Sequence, residues 1–320
     1  MRKAVCAPDK LKEVLSAREA AGALAAGFAQ VGVEAEELPL ADGGEGTAAA
    51  LHGALGGEWH TAEVSDPLGR QVEARFFLLP DGRAVVEAAE AIGLWRVTED
   101  ERDVWGASSR GLGELMRAAL EAGARALVVG LGGTATVDGG AGLREVLRGL
   151  PVPVDVACDV RNPLLGPRGA ARVFAPQKGA SAADIEGLER RLAAMAELEP
   201  YAEVPGAGAA GGLGAALAAL GARLVPGADL VLDVVGFDER IREADLVVTG
   251  EGVVDATSLE GKVTGAVVSR CREAGVRCVV FGGRVEVQLE SAEMHALSGE
   301  HDRAEDDLVA LGETLGSSLR

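Results

Sequence analysis

The chain has 320 residues, 48% of them hydrophobic and 25% charged, with 50 acids against 31 bases and a formal net charge of -19 at pH 7. That size and balance describe a globular protein with room for two domains and a sizeable core. So acidic a chain disfavours nucleic acid and anionic membranes as partners and points to a soluble metabolic enzyme of the cytoplasm.

In chain order, strand-like and helix-like patterns alternate. MRKAVCAPDK has too few apolar residues before Pro8 and Asp9 for a signal-peptide core, and within it KAVCAP predicts a short strand. Ser16 and Glu19 have the spacing of a capping box, opening an alanine-rich helix that stops near Gly32. EELPLA predicts the next strand and runs into DGGEGT. VEARFFLL and AVVEAA are extended, DPLG is a turn, residues 111–123 form a helix, and ALVVGL is a buried strand. Then come VPVDVACDV, a helix over 182–198, a Gly/Ala block too weakly apolar to span a membrane, ADLVVTGEG, a helix over 262–274, and VRCVVFGG. Such alternation implies an α/β fold, with parallel sheets flanked by helices. The four cysteines form no CxxC pair and fit reduced, buried thiols.

Four strands end in glycine-rich turns: LPLADGGEGT, LVVGLGGTATVDGG, LVVTGEGVVD and CVVFGG. Carboxyl ends of parallel strands are where loops converge on ligands. A single such loop is more often a tight turn and helix cap, but several together, three carrying acids, favour a site. Gly206, Gly208 and Gly211 fit G-x-G-x-x-G, yet no apolar strand precedes them, so a nicotinamide-dependent dehydrogenase is a third-ranked reading. No P-loop motif occurs.

Five lysines stand against 26 arginines, and four of the five lie beside turn signals, in APDKLK, PQKG and EGK. Lysine is the compact point charge suited to phosphate oxygens. Acids sit in or beside the same loops: Asp42, Glu45, Asp138, Asp159, Glu251 and Asp255. Each alone is as readily a solvated turn residue. Together they offer oxygen ligands for Mg²⁺ and a carboxylate to accept a hydroxyl proton, the needs of phosphoryl transfer. The four histidines lack ligand spacing.

APDKLKEVLSA, PLADGGEGT, GLGGTATVDGGAG, ACDVRNPLLGPRGAARVFAPQKGA, PGAGAAGGLGAAL and DLVVTGEGVVDATSLEGK occur in that order, from about residue 3 to 283. In this the chain resembles the glycerate kinase family typified by bacterial glycerate 2-kinases. The resemblance implies ATP-dependent phosphorylation of D-glycerate with Mg²⁺. It also implies two α/β domains, one Rossmann- or flavodoxin-like and discontinuous (1–60 and 235–320), the other inserted into it (61–234), with the active site in the cleft between them. Three departures stand out. A block of several dozen residues is missing near Leu150, which we expect to be peripheral; the tail after Gly283 is short and divergent; and Val137 replaces a commonly polar residue. The shortening keeps open a second reading, a relative that binds glycerate or nucleotide without turning over.

On that basis Asp42, Asp138, Asp159, Lys12 and Lys178 are the candidate catalytic residues, with Asp42 and Asp138 as metal ligands. Amides and side chains of Gly43, Gly44, Gly132, Gly133, Thr134, Gly139, Gly140, Gly208, Gly211, Gly212, Glu251 and Lys262 are expected around ATP. Arg161, Glu45 and Asp255 are expected around the substrate, Arg161 through a bidentate pair with its carboxylate. Replacing Asp138 with Asn is expected to lower kcat more than stability. The assembly is expected to be a monomer or homodimer, and whether the 2- or the 3-hydroxyl is phosphorylated stays open.

Overall fold

A computed structural model describes residues 2–44, 46–259, 262–289 and 291–320. Its strands are β1 Lys3–Cys6, β2 Glu34–Glu37, β3 Glu58–Ser65, β4 Gln71–Leu78, β5 Arg83–Glu87, β6 Ala126–Gly130, β7 Val154–Ala157, β8 Arg223–Val225, β9 Leu246–Val254, β10 Cys278–Val285 and β11 Glu293–Ala296. Its α-helices are α1 Ala17–Gln30, α2 Thr47–Leu55, α3 Ala88–Ile92, α4 Arg110–Glu121, α5 Ala141–Val146, α6 Ala170–Phe174, α7 Ala182–Ala193, α8 Ala209–Ala219, α9 Gly227–Val234, α10 Phe237–Ile241, α11 Val263–Ala274 and α12 Ala304–Ser318. The chain divides into unit 1, Met1–Asp42 with Ala49–Leu55 and Ala228–Arg320, and unit 2, Gly43–Ala48 with Gly56–Gly227.

Unit 1 holds a fully parallel five-stranded sheet in the order β11, β10, β9, β1, β2. Renumbered within the unit this is 2-1-3-4-5, the flavodoxin-like order. The capping box forms as its sequence implies: the Glu19 amide donates to Ser16 Oγ (3.2 Å) and the Ser16 amide to Glu19 Oε2 (2.8 Å). α1 buries Leu24 and Phe28 completely against β1, β9 and α12, each side chain contributing about 1.5–3 kcal/mol. The crossing of α1 and α12 requires glycine on both helices. A Cβ on Gly27 would overlap the Val309 carbonyl, and one on Gly312 the Leu24 carbonyl. The divergent tail after Gly283 thus supplies the last strand of this sheet and one of its covering helices.

Unit 2 carries a six-stranded mixed sheet, β3 to β8 in sequence order. β5 through β8 are parallel, as the alternation implies, and β3, β4 and β5 add an antiparallel edge. The physical reason is two tight turns too short for a parallel crossover: at DPLG the Asp66 amide donates to Arg70 O (2.8 Å) and the Gly69 amide to Asp66 O (3.1 Å), and between β4 and β5 the Leu79 amide donates to Arg83 O (2.8 Å) and the Gly82 amide to Leu79 O (2.9 Å). Two expectations need adjustment. α7 stops at Ala193, and Leu198 is reached through a 3₁₀ segment, Ala196–Tyr201, containing Pro200, whose missing amide suits no helix interior. β2 ends at Glu37; the following LPLA stays extended beside β1, with the Leu38 amide donating to Cys6 O and the Leu40 amide to Pro8 O.

Residues 147–153, where the expected block is missing, lead into the amino end of β7. That is the end of the strand opposite to the one where ligand loops gather.

Candidate active site

In unit 1 the strand order reverses between β1 and β9, and a cavity of about 620 Å³ opens beside their carboxyl ends. This is where an open parallel sheet leaves a crevice, because the following segments depart to opposite faces. The segment after β1 supplies Asp9, Lys10 and Lys12, the one after β2 Asp42, β9 Glu251, and the residue before α11 Lys262. Arg284 of β10 and His301, just ahead of α12, complete the far wall.

Charge is unevenly compensated in this cavity. Asp9 is anchored by its amide, which donates to Gly250 O (3.0 Å), while its Oδ1 accepts the Lys10 amide (2.7 Å). Burial, together with the negative charges of Asp42 and Glu251, pushes the Asp9 carboxyl up to about 7; the Lys10 amide and ammonium act the other way without cancelling it. Glu251 is only 8% exposed, and its Oε1 is buried without a hydrogen-bond partner. Its Oε2 lies 3.5 Å from Lys262 Nζ. Lys12 is exposed and pairs with no described residue. Asp255 is held below the usual carboxylate range by the Thr257 hydroxyl and amide, which both donate to its Oδ1 (2.6 and 2.8 Å). That carboxylate is engaged in its own turn.

Unit 2 treats its glycine loop differently. Of residues 130–142, only Gly132 and Gly133 are exposed before the loop turns inward. Asp138, 2% exposed, accepts four hydrogen bonds: from the Ser109 amide and hydroxyl (2.9 and 2.7 Å) and from the amides of Gly140 and Gly142 (both 3.1 Å). The Gly139 amide donates to Gly211 O (3.1 Å). Gly211 has φ 72°, and a Cβ there would overlap the Thr136 carbonyl. Gly212 likewise has a left-handed φ of 95°, and the Gly208 amide donates to Asn162 O. The two glycine motifs of unit 2 therefore pack on one another, main chain to main chain. Ahead of Gly206 comes a 3₁₀ segment and a turn, with no strand to complete a dinucleotide fingerprint.

Lys178 is 3% exposed, and its Nζ donates to Thr134 Oγ1 (3.2 Å) and Thr136 O (2.7 Å). Burial lowers its pKa to about 7 against the opposing pull of Asp138. Thr136 Oγ1 is buried without a partner, and Val137 lies wholly within the core formed by Leu188 and Leu192. Asp159 is exposed, with Oδ1 accepting the Gly227 amide (2.9 Å). Arg161 is exposed. Gly43 is buried tightly: an added Cβ would come 2.5 Å from Ala157 Cβ. Gly44 accepts the Thr47 hydroxyl at its carbonyl (2.7 Å). Glu45 lies outside the described residues.

Comparison with known proteins decides the family. A family model described as "Glycerate kinase family" matches residues 4–151 and 145–305, its two segments meeting at the shortened link near Leu150. The chain belongs to the glycerate kinase family. It is 39% identical to the glycerate kinase of Bacillus subtilis (strain 168) over 92% of this chain and 88% of that one. It is 42% identical to the glycerate 2-kinase of Escherichia coli (strain K12) over 82% and 80%. The crystal structure of putative glycerate kinase 2 from Salmonella typhimurium LT2 superposes with a TM-score of 0.88 at 34% identity, covering 99% of this chain and 98% of that one. Membership makes the chain an ATP-dependent kinase.

Among the sequence candidates, Lys12, Asp42, Glu251, Asp255 and Lys262 meet in the unit 1 cavity, while Asp138, Lys178 and Thr134 meet in unit 2. Asp9, Arg284 and His301 were not among them. Asp9 carried a signal, as the first acid after the first predicted strand. The other two sit in the divergent tail, where nothing in the local pattern marks them.

Proposed function

We propose that this protein transfers the γ-phosphoryl group of ATP to the 2-hydroxyl of D-glycerate, giving 2-phosphoglycerate and ADP. The unit 1 cavity carries the reading: it joins crowded carboxylates, among them Glu251 with one oxygen unpartnered, to Lys12 and Lys262 at the reversal point of the strand order. The similarity to the E. coli glycerate 2-kinase favours the 2-hydroxyl. Lys12 and Lys262 are suited to the glycerate carboxylate and to phosphoryl oxygens, as mobile point charges in an acidic protein. The cavity walls hold acceptor and phosphorus in one orientation, which is most of what phosphoryl transfer asks of a protein.

Mg²⁺, expected at Asp42 and Asp138, meets no ready cage: among the described residues no group of three or more His, Cys, Asp or Glu side chains is placed to hold a metal. The four hydrogen bonds accepted by Asp138 also leave its oxygens little capacity for an ion. In this reading Mg²⁺ enters as part of the MgATP substrate.

Steady ADP release from MgATP that requires D-glycerate is the expected result. ATP or glycerate binding in calorimetry without any ADP release would instead make the chain a binding relative.

A further inference from the structure

We infer that Asp9 is the catalytic base, the carboxylate that takes the proton from the acceptor hydroxyl; this rests on the glycerate kinase reading. Four observations place it there. Asp9 lines the cavity directly after β1, at the point where the strand order reverses. Its main chain is fixed to β9 by the hydrogen bond to Gly250 O, and one carboxylate oxygen is oriented by the Lys10 amide. The other oxygen, Oδ2, accepts nothing from any described residue. Beside it stands Glu251, more than nine-tenths buried, with Oε1 unpartnered in the same cavity. A buried acceptor left without a donor costs stability and is explained by a ligand donor such as a hydroxyl.

Other acids are less suited. Asp255 is occupied by Thr257, and Glu251 is drawn to Lys262. Asp9 instead sits where Asp42, from the segment after β2, and Glu251, from β9, both oppose its ionisation and Lys10 favours it. Lys12 on its own segment, Lys262 before α11, Arg284 of β10 and His301 before α12 face the same cavity. A base whose pKa lies near the working pH combines availability with proton affinity.

The step balances. The hydroxyl proton moves to Asp9 as the hydroxyl oxygen forms its bond to the γ-phosphorus. The bond from that phosphorus to the β,γ-bridging oxygen breaks, and ADP leaves with the electron pair. Asp9 then returns the proton to solvent.

The test compares pH–rate profiles of wild type, Asp9→Asn and Glu251→Gln. Wild-type kcat/KM should fall on the acid side of about pH 7. Asp9→Asn should lose that limb and lower kcat by about 10²–10⁴-fold, with KM for ATP changed less than about threefold. Glu251→Gln, by removing a neighbouring negative charge, should move the limb to lower pH. An acid limb that persists in Asp9→Asn, or one that does not move in Glu251→Gln, overturns the inference.

A second readout needs no turnover. The folded carboxyl has the higher pKa, so the native state binds more protons between pH 4 and 7 and loses stability as pH rises through that window. Asp9→Asn should remove this decline in Tm, and a variant that retains it contradicts the assignment. Absence of ADP release by wild type would count against the kinase reading, while the unfolding data would still report on Asp9.

Discussion

Two motif-rich regions of similar composition end in opposite states. The unit 1 cavity, built from APDKLK, GEGVVD and Lys262, leaves Glu251 Oε1 unpartnered and Lys12 exposed. The unit 2 loop, GLGGTATVDGGAG, turns its acid inward and satisfies it four times over with its own chain. The difference teaches that glycines and acids in a loop after a strand do not by themselves mean a ligand cradle. What separates the two is whether the acid has been satisfied by the fold. Unsatisfied buried groups cost stability and survive where function uses them.

Substitutions can break this contrast, beginning with the largest expected effect. Asp138→Ala leaves the Ser109 hydroxyl and three buried amides without their acceptor, so it should lower unfolding free energy by roughly 3 kcal/mol or more, at about 1–3 kcal/mol per orphaned group with partial relaxation. Denaturant titration measures it. This departs from the expectation, drawn from the loop's composition, that an Asp138 variant loses mainly kcat. Unchanged stability would show that the loop is as open as the unit 1 cavity.

Lys178→Met has a smaller and pH-dependent effect. The folded amine has a depressed pKa, so the native state holds fewer protons than the unfolded chain between about pH 7 and 10.5. Wild type should therefore gain stability as pH rises across that window. Met keeps the volume but has no titrating group, so the gain should vanish, as followed by Tm from pH 6.5 to 9.5. Its loss of the bonds to Thr134 and Thr136 should cost about 1 kcal/mol at the alkaline end.

Lys262→Ala should have the smallest effect on stability. The side chain is 40% exposed and its ion pair with Glu251 spans 3.5 Å, so the change in unfolding free energy should stay below about 1 kcal/mol. If it serves the anionic substrates, KM for D-glycerate or ATP should rise about fivefold or more, and less so at high salt. Equal KM values in both proteins would return Lys262 to the solvent.

Much of the architecture was legible in the chain. The Ser16 and Glu19 box, the β6 strand at ALVVG and the α4 helix follow from spacing alone, because capping and periodicity are local. The antiparallel edge was legible only through DPLG, whose meaning depends on which strands it joins. The contribution of α12 was not, since the need for Gly27 and Gly312 arises from a helix crossing more than 280 positions apart in the chain. At the site, the lysines and acids of unit 1 could be read as residue types beside strand ends. Burial could not, and it is burial that sets Asp9 and Lys178 apart from their neighbours. Val137 shows the same limit: its place in the loop suggested a missing contact, and the structure puts its side chain in the core.

The most direct measurement is ³¹P NMR of D-glycerate incubated with MgATP and the protein. The account predicts a new phosphomonoester signal coupled to the proton at carbon 2 of glycerate, growing with ADP. Inorganic phosphate alone, or ATP left intact while both ligands bind, would contradict it.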